Sequence, residues 1–403
     1  MRLIFRLVIV AIVLFIFYQI FPKSTTFKKG EYGYDLEFLK KNLKPIELVN
    51  GDSRIILAPQ FQGRVMTCSS GGVKGFSYGW INYDLIASHK VLEHFNPVGG
   101  EERLWLGPEG GQFSIFYPKD SSFVSKNWFV PKAFDTQSFE VQSKSSMSVT
   151  FVKDIEVKNQ SGTTFMTRVT RKVRLLSDSN IHHLLGVEVG RSVHAVAYQS
   201  ENQLMNIGNN SWTKESGALS IWILSMLNAS PDVTVILPYK KGDLGKIVKD
   251  DYFSKVPENR LKITENAVLF LADGKFRSKI GISPRRTIPR IGSYDAKNNK
   301  LTILEFIFPE NITDYVNSAL EIQKEPFSGD VINVYNDGPK DGGPGMGQFY
   351  ELEASSPAAF LKPGEEITHV QHVYHFEGSK QDLDRLAKSL LKVSLSEIEK
   401  TFK

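Results

Sequence analysis

The 403-residue chain contains one cysteine, Cys68, so no intrachain disulfide can form and no cysteine pair exists for a zinc finger or thioredoxin motif. It also lacks a basic block. The 49 Lys and Arg exceed the 44 Asp and Glu by only five charges, and they are scattered, which speaks against nucleic acid as a partner. No Walker loop, Gly-x-Ser-x-Gly elbow or dinucleotide fingerprint occurs, and the glycines of GGEERLWLGPEGG (Gly99–Gly111) are wrongly spaced for a nucleotide loop. No cofactor is therefore expected. Long helical periodicity is scarce, and neither an internal repeat nor a low-complexity linker follows Pro45.

What the chain has in quantity is short β-type runs punctuated by Gly, Pro, Asn and Asp. IELV, RIILAP, RVMTCS, SMSVTFV, TFMTRVTRKVRLL, VTVILP and LTILEF recur at spacings that predict a large all-β sandwich from residue 46 to 378. Aromatic residues make up 11% of the chain, which suits sheets and sugar-stacking surfaces alike. After Asp382, Leu383, Leu386, Leu390 and Leu391 fall at helical spacing, so residues 379–403 read as a C-terminal helix. Residues 23–45 are polar, with one short amphipathic piece, and read as a linker.

The first 22 residues are of another kind. Arg2 and Arg6 precede an uncharged run from Leu7 to Pro22 that reads as a secretory signal. No small-x-small cleavage site follows, so the segment is either removed or kept as a membrane anchor. Either way the expected location is outside the cytoplasm, periplasmic or anchored at the membrane.

The stretch GQFYELEASSPAAFLKPG (Gly347–Gly364) offers the clearest candidate chemistry. On a strand, side chains alternate, so Glu351 and Glu353 share a face with Phe349 while Tyr350, Leu352 and Ala354 take the other. Two carboxylates roughly 6.5 to 7 Å apart along a strand can set their proton affinities apart and serve as acid and base. Alternatively, both could pair with arginines or face water. Three glycine-rich stretches, 69–82, 96–116 and 336–349, combine flexible backbone with Trp80, Arg103, Trp105, Glu109 and Asp337, residue types that stack on sugars or bond their hydroxyls. Asn202 and Asn206 add amides that can donate and accept, or else cap turns. His369, His372 and His375 cannot converge on one metal from a regular strand, because His372 faces away from the other two. Asp337 and Asp341 with the glycines between them could hold calcium, which wants several oxygens on a flexible frame, but they lack the regular EF-hand spacing, and Asn-Asp-Gly-Pro is equally a strong turn signal.

Several of these stretches match a known pattern. YNDGP, GQFYELEASSPAAFLKPGE, SSGGVKGFSYGWIN and GGEERLWLGPEGGQF resemble the signatures of a family of secreted bacterial proteins of unknown function with a galactose mutarotase-like fold, over Ile46 to Gly378. More distantly, LEASSPAAFLKPGE is similar to the aldose 1-epimerase pattern of a strand glutamate followed by Leu-x-Pro-Gly-Glu. That resemblance implies a twisted β-supersandwich, a small-molecule sugar or glycan as ligand, and the catalytic-base position for Glu353, with Glu351 beside it. PVGGEERLWLGPEGG resembles the sugar-contacting Gly-Gly loop of mutarotases, without the arginine that precedes it in the hexose-phosphate branch. The histidine that protonates the ring oxygen in mutarotases has no counterpart in GALSIWILSML, where Ser220, Ile221 and Trp222 stand. The resemblance thus implies either an aldose epimerase with another acid or a non-catalytic glycan-binding or envelope protein.

Overall fold

The computed structural model describes residues 26–190, 192–339 and 343–403. The apolar segment at 1–22 lies outside the described residues, and among these no helix is long and apolar enough to cross a membrane.

Three antiparallel sheets carry the architecture. A five-stranded sheet is built from β1 (Arg103–Gly107), β2 (Ser220–Asn228), β3 (Ser278–Ile282), β4 (Ile332–Asn336) and β5 (Phe349–Ser355), in the order β3-β4-β5-β2-β1. A ten-stranded sheet includes the long neighbours Thr164–Leu175, His194–Asn206 and Glu366–Glu377. A small sheet joins Ile46–Asn50, Ser53–Ala58 and Arg64–Ser69.

Burial explains why the two large sheets look different in sequence. Thr164–Leu175 alternates exposed and buried residues along most of its length, the signature of a sheet with one face wet and one on the core. β5 is buried at every residue but its last, so it is covered on both faces. Its Tyr350, Leu352 and Ala354 join the main core, and the Tyr350 hydroxyl lies 2.8 Å from the Ser293 hydroxyl of the ten-stranded sheet. The opposite face carries Glu351 and Glu353.

The C-terminal segment forms two helices, α2 (Lys380–Leu391) and α3 (Leu395–Lys400), where one was expected. The break has a local cause: Lys392 takes a left-handed conformation with φ 62°, and Ser394 starts the next helix in a capping box with Glu397. Leu383, Leu386, Leu390 and Leu391 bury against Leu301, Ile303, Tyr374 and Phe376 of the ten-stranded sheet. Leu391 lies so close to the backbone that a Cβ on Gly292 would come within 2.3 Å of it, and only glycine leaves room.

The stretch read as a linker also differs. Its helix, α1 (Tyr32–Asn42), buries Tyr32, Leu36 and Leu39 against Ile56, Ala58 and Met66 of the small sheet. Asp35 accepts hydrogen bonds from the hydroxyls of Ser77 and Tyr83. The segment looks polar because its apolar positions are spaced one helical turn apart rather than in a run.

Candidate functional site

Direct cross-strand partners in an antiparallel pair project to the same face, so the register of the five-stranded sheet assembles the site. Glu353 pairs with Leu224, which pairs with Arg103. Glu351 pairs with Tyr335, which pairs with Lys279. Trp222 and Trp105 pair one step further along. One sheet face thus carries two glutamates, a lysine, an arginine and two tryptophans.

These side chains line a cavity of about 270 Å³, near the small end of the roughly 300–1,000 Å³ typical of small-molecule sites. Its aromatic wall is Phe95, Trp105, Trp128 and Trp222, with the Trp105 and Trp222 rings edge-on at 5.6 Å. Leu320, Phe253 and Met346 form an exposed lip. The aromatic wall gives flat apolar surface, and the charged floor gives hydrogen-bonding groups.

The floor is organised as two ion pairs. Arg103 Nη2 donates to Glu351 Oε1 at 2.8 Å, and the guanidinium lies 4.0 Å from the Trp105 ring centroid. Lys279 Nζ donates to Glu353 Oε2 at 2.9 Å, and Trp222 Nε1 donates to the same oxygen at 2.9 Å. All four charged residues are at most 7% exposed. Glu353 Oε1, by contrast, is buried without a hydrogen-bond partner, and so are Arg103 Nε and Nη1.

Proton affinities follow from burial and neighbours. Burial pushes the Glu351 carboxyl up to about 7, with Arg103 pulling against it and Glu353 adding to it. Burial likewise raises Glu109 against the pull of Lys279. For Lys279 burial works against the charge, but Glu353 and Glu109 outweigh it and hold the ammonium above the ordinary lysine value. Arg103, Arg277 and Lys279 share the cavity lining with four carboxyls, those of Glu109, Asp337, Glu351 and Glu353.

Six of the residues singled out in the sequence meet here: Arg103, Trp105, Glu109, Asp337, Glu351 and Glu353. Asp337 is already engaged, accepting from the Tyr335 hydroxyl at 2.7 Å and from the Gly347 N–H at 2.8 Å, and its suggested companion Asp341 lies outside the described residues. Trp80 does not line the cavity, contrary to the expectation from sequence; its ring lies 4.7 Å from Phe349 and is pressed against Gly347. The Gly-Gly loop also turns there: Gly99 has φ 83°, and a Cβ on it would meet the Trp80 carbonyl oxygen at 2.2 Å.

Asn202 and Asn206 do not line the cavity, contrary to the expectation from sequence. Both lie on His194–Asn206 of the ten-stranded sheet, fully buried. Asn202 Oδ1 accepts from Arg171 Nη1 at 2.6 Å. Asn206 Nδ2 donates to the carbonyls of Asn210 and Leu361, the turn-capping use of an asparagine. Their amides are spent on the protein itself.

Sequence reasoning missed Lys279 as part of the site and gave Trp222 no role beyond marking the absent histidine. The available signal was a lysine inside the apolar strand SKIGI, since buried lysine demands a partner.

The chain is similar in fold to a galactose mutarotase-like protein from Lactobacillus casei, with a TM-score of 0.50, 11% identity, and coverage of 82% of this chain and 100% of that one. A candidate aldose 1-epimerase from Escherichia coli K12 matches with a TM-score of 0.48 and 12% identity over 83% of this chain and 99% of that one. A galactose mutarotase related enzyme from Lactobacillus acidophilus gives a TM-score of 0.47 and 8% identity, over 83% and 98% of the two chains. No curated protein sequence matches the chain. The architecture is the galactose mutarotase-like fold, and with a family model matching residues 30–402 the chain belongs to a family of unknown function, DUF6786.

Proposed function

We propose that the cavity binds a small neutral aldose and that its two glutamates interconvert the anomers, the reaction type of an aldose 1-epimerase. The observation that carries this reading is the state of Glu353. Its Oε2 is held by Lys279 and Trp222, while its Oε1 is buried and unpartnered on a residue that lines the cavity.

A buried carboxylate oxygen with no partner suits a general base. Glu353 Oε1 takes the proton of the anomeric hydroxyl as the bond from the anomeric carbon to the ring oxygen breaks. Glu351, raised to about 7 by burial, gives its proton to the departing ring oxygen. Rotation about the bond between the first two carbons and closure on the other face then returns both protons. Lys279 fixes Glu353 in place and offsets its charge.

A second reading is non-catalytic sugar binding, favoured by Trp222. It lies in the stretch, Ser220 to Trp222, that occupies the region where the resemblance places a histidine acid, and its N–H is committed to Glu353. Polarimetry on freshly dissolved α-glucose and α-galactose, with calorimetric titration, separates the two. Acceleration that disappears in Glu353→Gln supports the epimerase; binding without acceleration supports the binding protein; neither retires the sugar reading for those sugars.

The location outside the cytoplasm, with or without a retained anchor, belongs to the same proposal and rests on Arg2, Arg6 and the uncharged run from Leu7 to Pro22. Fractionation of cells producing the whole chain, with mass analysis of its N-terminus, tests both points.

A further inference from the structure

Outside the lining of the aromatic cavity, three chemically distinct side chains from separate parts of the chain meet in the sealed interior. Cys68 comes from Arg64–Ser69 of the small sheet, Glu101 from the segment before β1, and His375 from Glu366–Glu377 of the ten-stranded sheet. None has any exposed surface. The Cys68 thiol donates to Glu101 Oε1 at 3.2 Å, and His375 Nε2 lies 2.9 Å from the same oxygen. Their three ligand atoms all fall within 4.8 Å of one another.

We infer that Cys68, Glu101 and His375 form a buried zinc site. The first support is spacing. Zinc bonds of about 2.3 Å to sulfur and about 2.0 to 2.2 Å to nitrogen and oxygen set tetrahedral ligand atoms roughly 3.3 to 3.7 Å apart; the Cys68–Glu101 and His375–Glu101 separations of 3.2 and 2.9 Å need to open by a few tenths of an ångström, and all three ligand atoms already lie within 4.8 Å of one another.

The second support is the orientation of the histidine. Thr302 Oγ1 is 2.8 Å from His375 Nδ1, and the Tyr78 ring stacks on the imidazole at 3.9 Å. A hydrogen bond on one ring nitrogen that turns the other toward the metal is the usual support of a metal-bound histidine.

The third support is independent of the cluster's own hydrogen bonds. Glu101 Oε2 is fully buried and makes no well-formed hydrogen bond, and the buried Tyr198 hydroxyl stands beside this carboxylate. Tyr198 pairs with Val373, two residues before His375, so the two side chains are diagonal neighbours on one sheet face. The free carboxylate oxygen belongs to a group that ligates zinc. Charge agrees as well: a divalent ion with one thiolate, one carboxylate and a neutral imidazole sums to zero, which a dry interior tolerates far better than a lone carboxylate. The thiol proton leaves to solvent on binding.

A thiolate among nitrogen and oxygen ligands selects zinc over calcium or magnesium, and, sealed from solvent, the site ties three parts of the fold together rather than performing chemistry. The test is elemental analysis of the whole chain, purified without chelator from zinc-supplemented cells, and absorption spectra of protein from cobalt-supplemented cells. The expected result is one zinc per chain and a thiolate-to-cobalt charge-transfer band that Cys68→Ser abolishes. Should Cys68→Ser fail to fold, Thr302→Val keeps all three ligand atoms and should weaken metal binding by roughly 10- to 100-fold. Less than a tenth of an equivalent of metal in wild type with no cobalt band overturns the inference, as does metal retained undiminished in both variants.

Discussion

Lys279 Nζ lies 2.9 Å from Glu353 Oε2 although the two residues are 74 positions apart in the chain. Each is nearly sealed from solvent, so neither charge can be satisfied by water if the other is removed.

Lys279→Met should therefore destabilise the protein by about 3–5 kcal/mol, the cost of stranding a buried carboxylate. Adding Glu353→Gln should recover part of that loss, so that the double variant is more stable than the sum of the singles predicts, by about 0.5–3 kcal/mol. Chemical denaturation of the three variants measures the cycle; strict additivity would show that the pair is not coupled.

Glu353→Gln alone should keep the fold, because Glu109 still faces Lys279, and should keep sugar affinity. The anomerisation rate should fall by roughly 10² to 10⁴, the contribution of one positioned acid or base. Calorimetry and polarimetry on the same preparation read the two effects separately, and a variant as fast as wild type would remove Glu353 from the mechanism.

The Glu351 carboxyl, raised by burial to about 7, binds its proton more tightly in the folded chain than in the unfolded one. Its contribution is fully present below the unfolded value of about 4.5 and is lost as pH rises toward 7, since stability falls wherever the folded state holds more protons. Melting curves of wild type should decline across that window relative to Glu351→Gln, whose curve should be flatter. If Glu351 is the acid, the turnover rate should also fall as pH passes about 7.

Asn202→Ala should cost about 1–3 kcal/mol by leaving Arg171 short of a buried acceptor. Sugar affinity should not change, because Asn202 does not line the cavity. Reduced binding with unchanged stability would return this residue to the site.

The alternation within FYELEAS was enough to put Glu351 and Glu353 on one face, since the rule operates inside a single strand. The small residues and aromatics before β1 likewise pointed to Arg103 and Trp105. What could not be read was pairing between distant strands: Lys279 reaches Glu353 only through the register of β3 on β4 and β4 on β5. Asn202 and Asn206 misled for another reason. An amide that caps a turn and one that meets a sugar are the same residue in the same kind of stretch, and only the fold tells which carbonyls come within reach. The polar look of residues 23–45 hid a packed helix, because three well-spaced apolar residues suffice to dock one.

Glu101, Glu102 and Arg103 are consecutive, and each is fastened elsewhere: Glu101 to His375, Glu102 to Arg171 and Gln371, Arg103 to Glu351. This tripeptide is a rivet through the molecule, holding the ten-stranded sheet by two side chains and the cavity floor by the third. Such a floor cannot yield to an arriving ligand without breaking several buried charge contacts at once. Accommodation then falls to the opposite side, where Leu320, Phe253 and Met346 stand exposed at the lip, so amide exchange on ligand addition should slow in those loops and stay unchanged in β1 and β5.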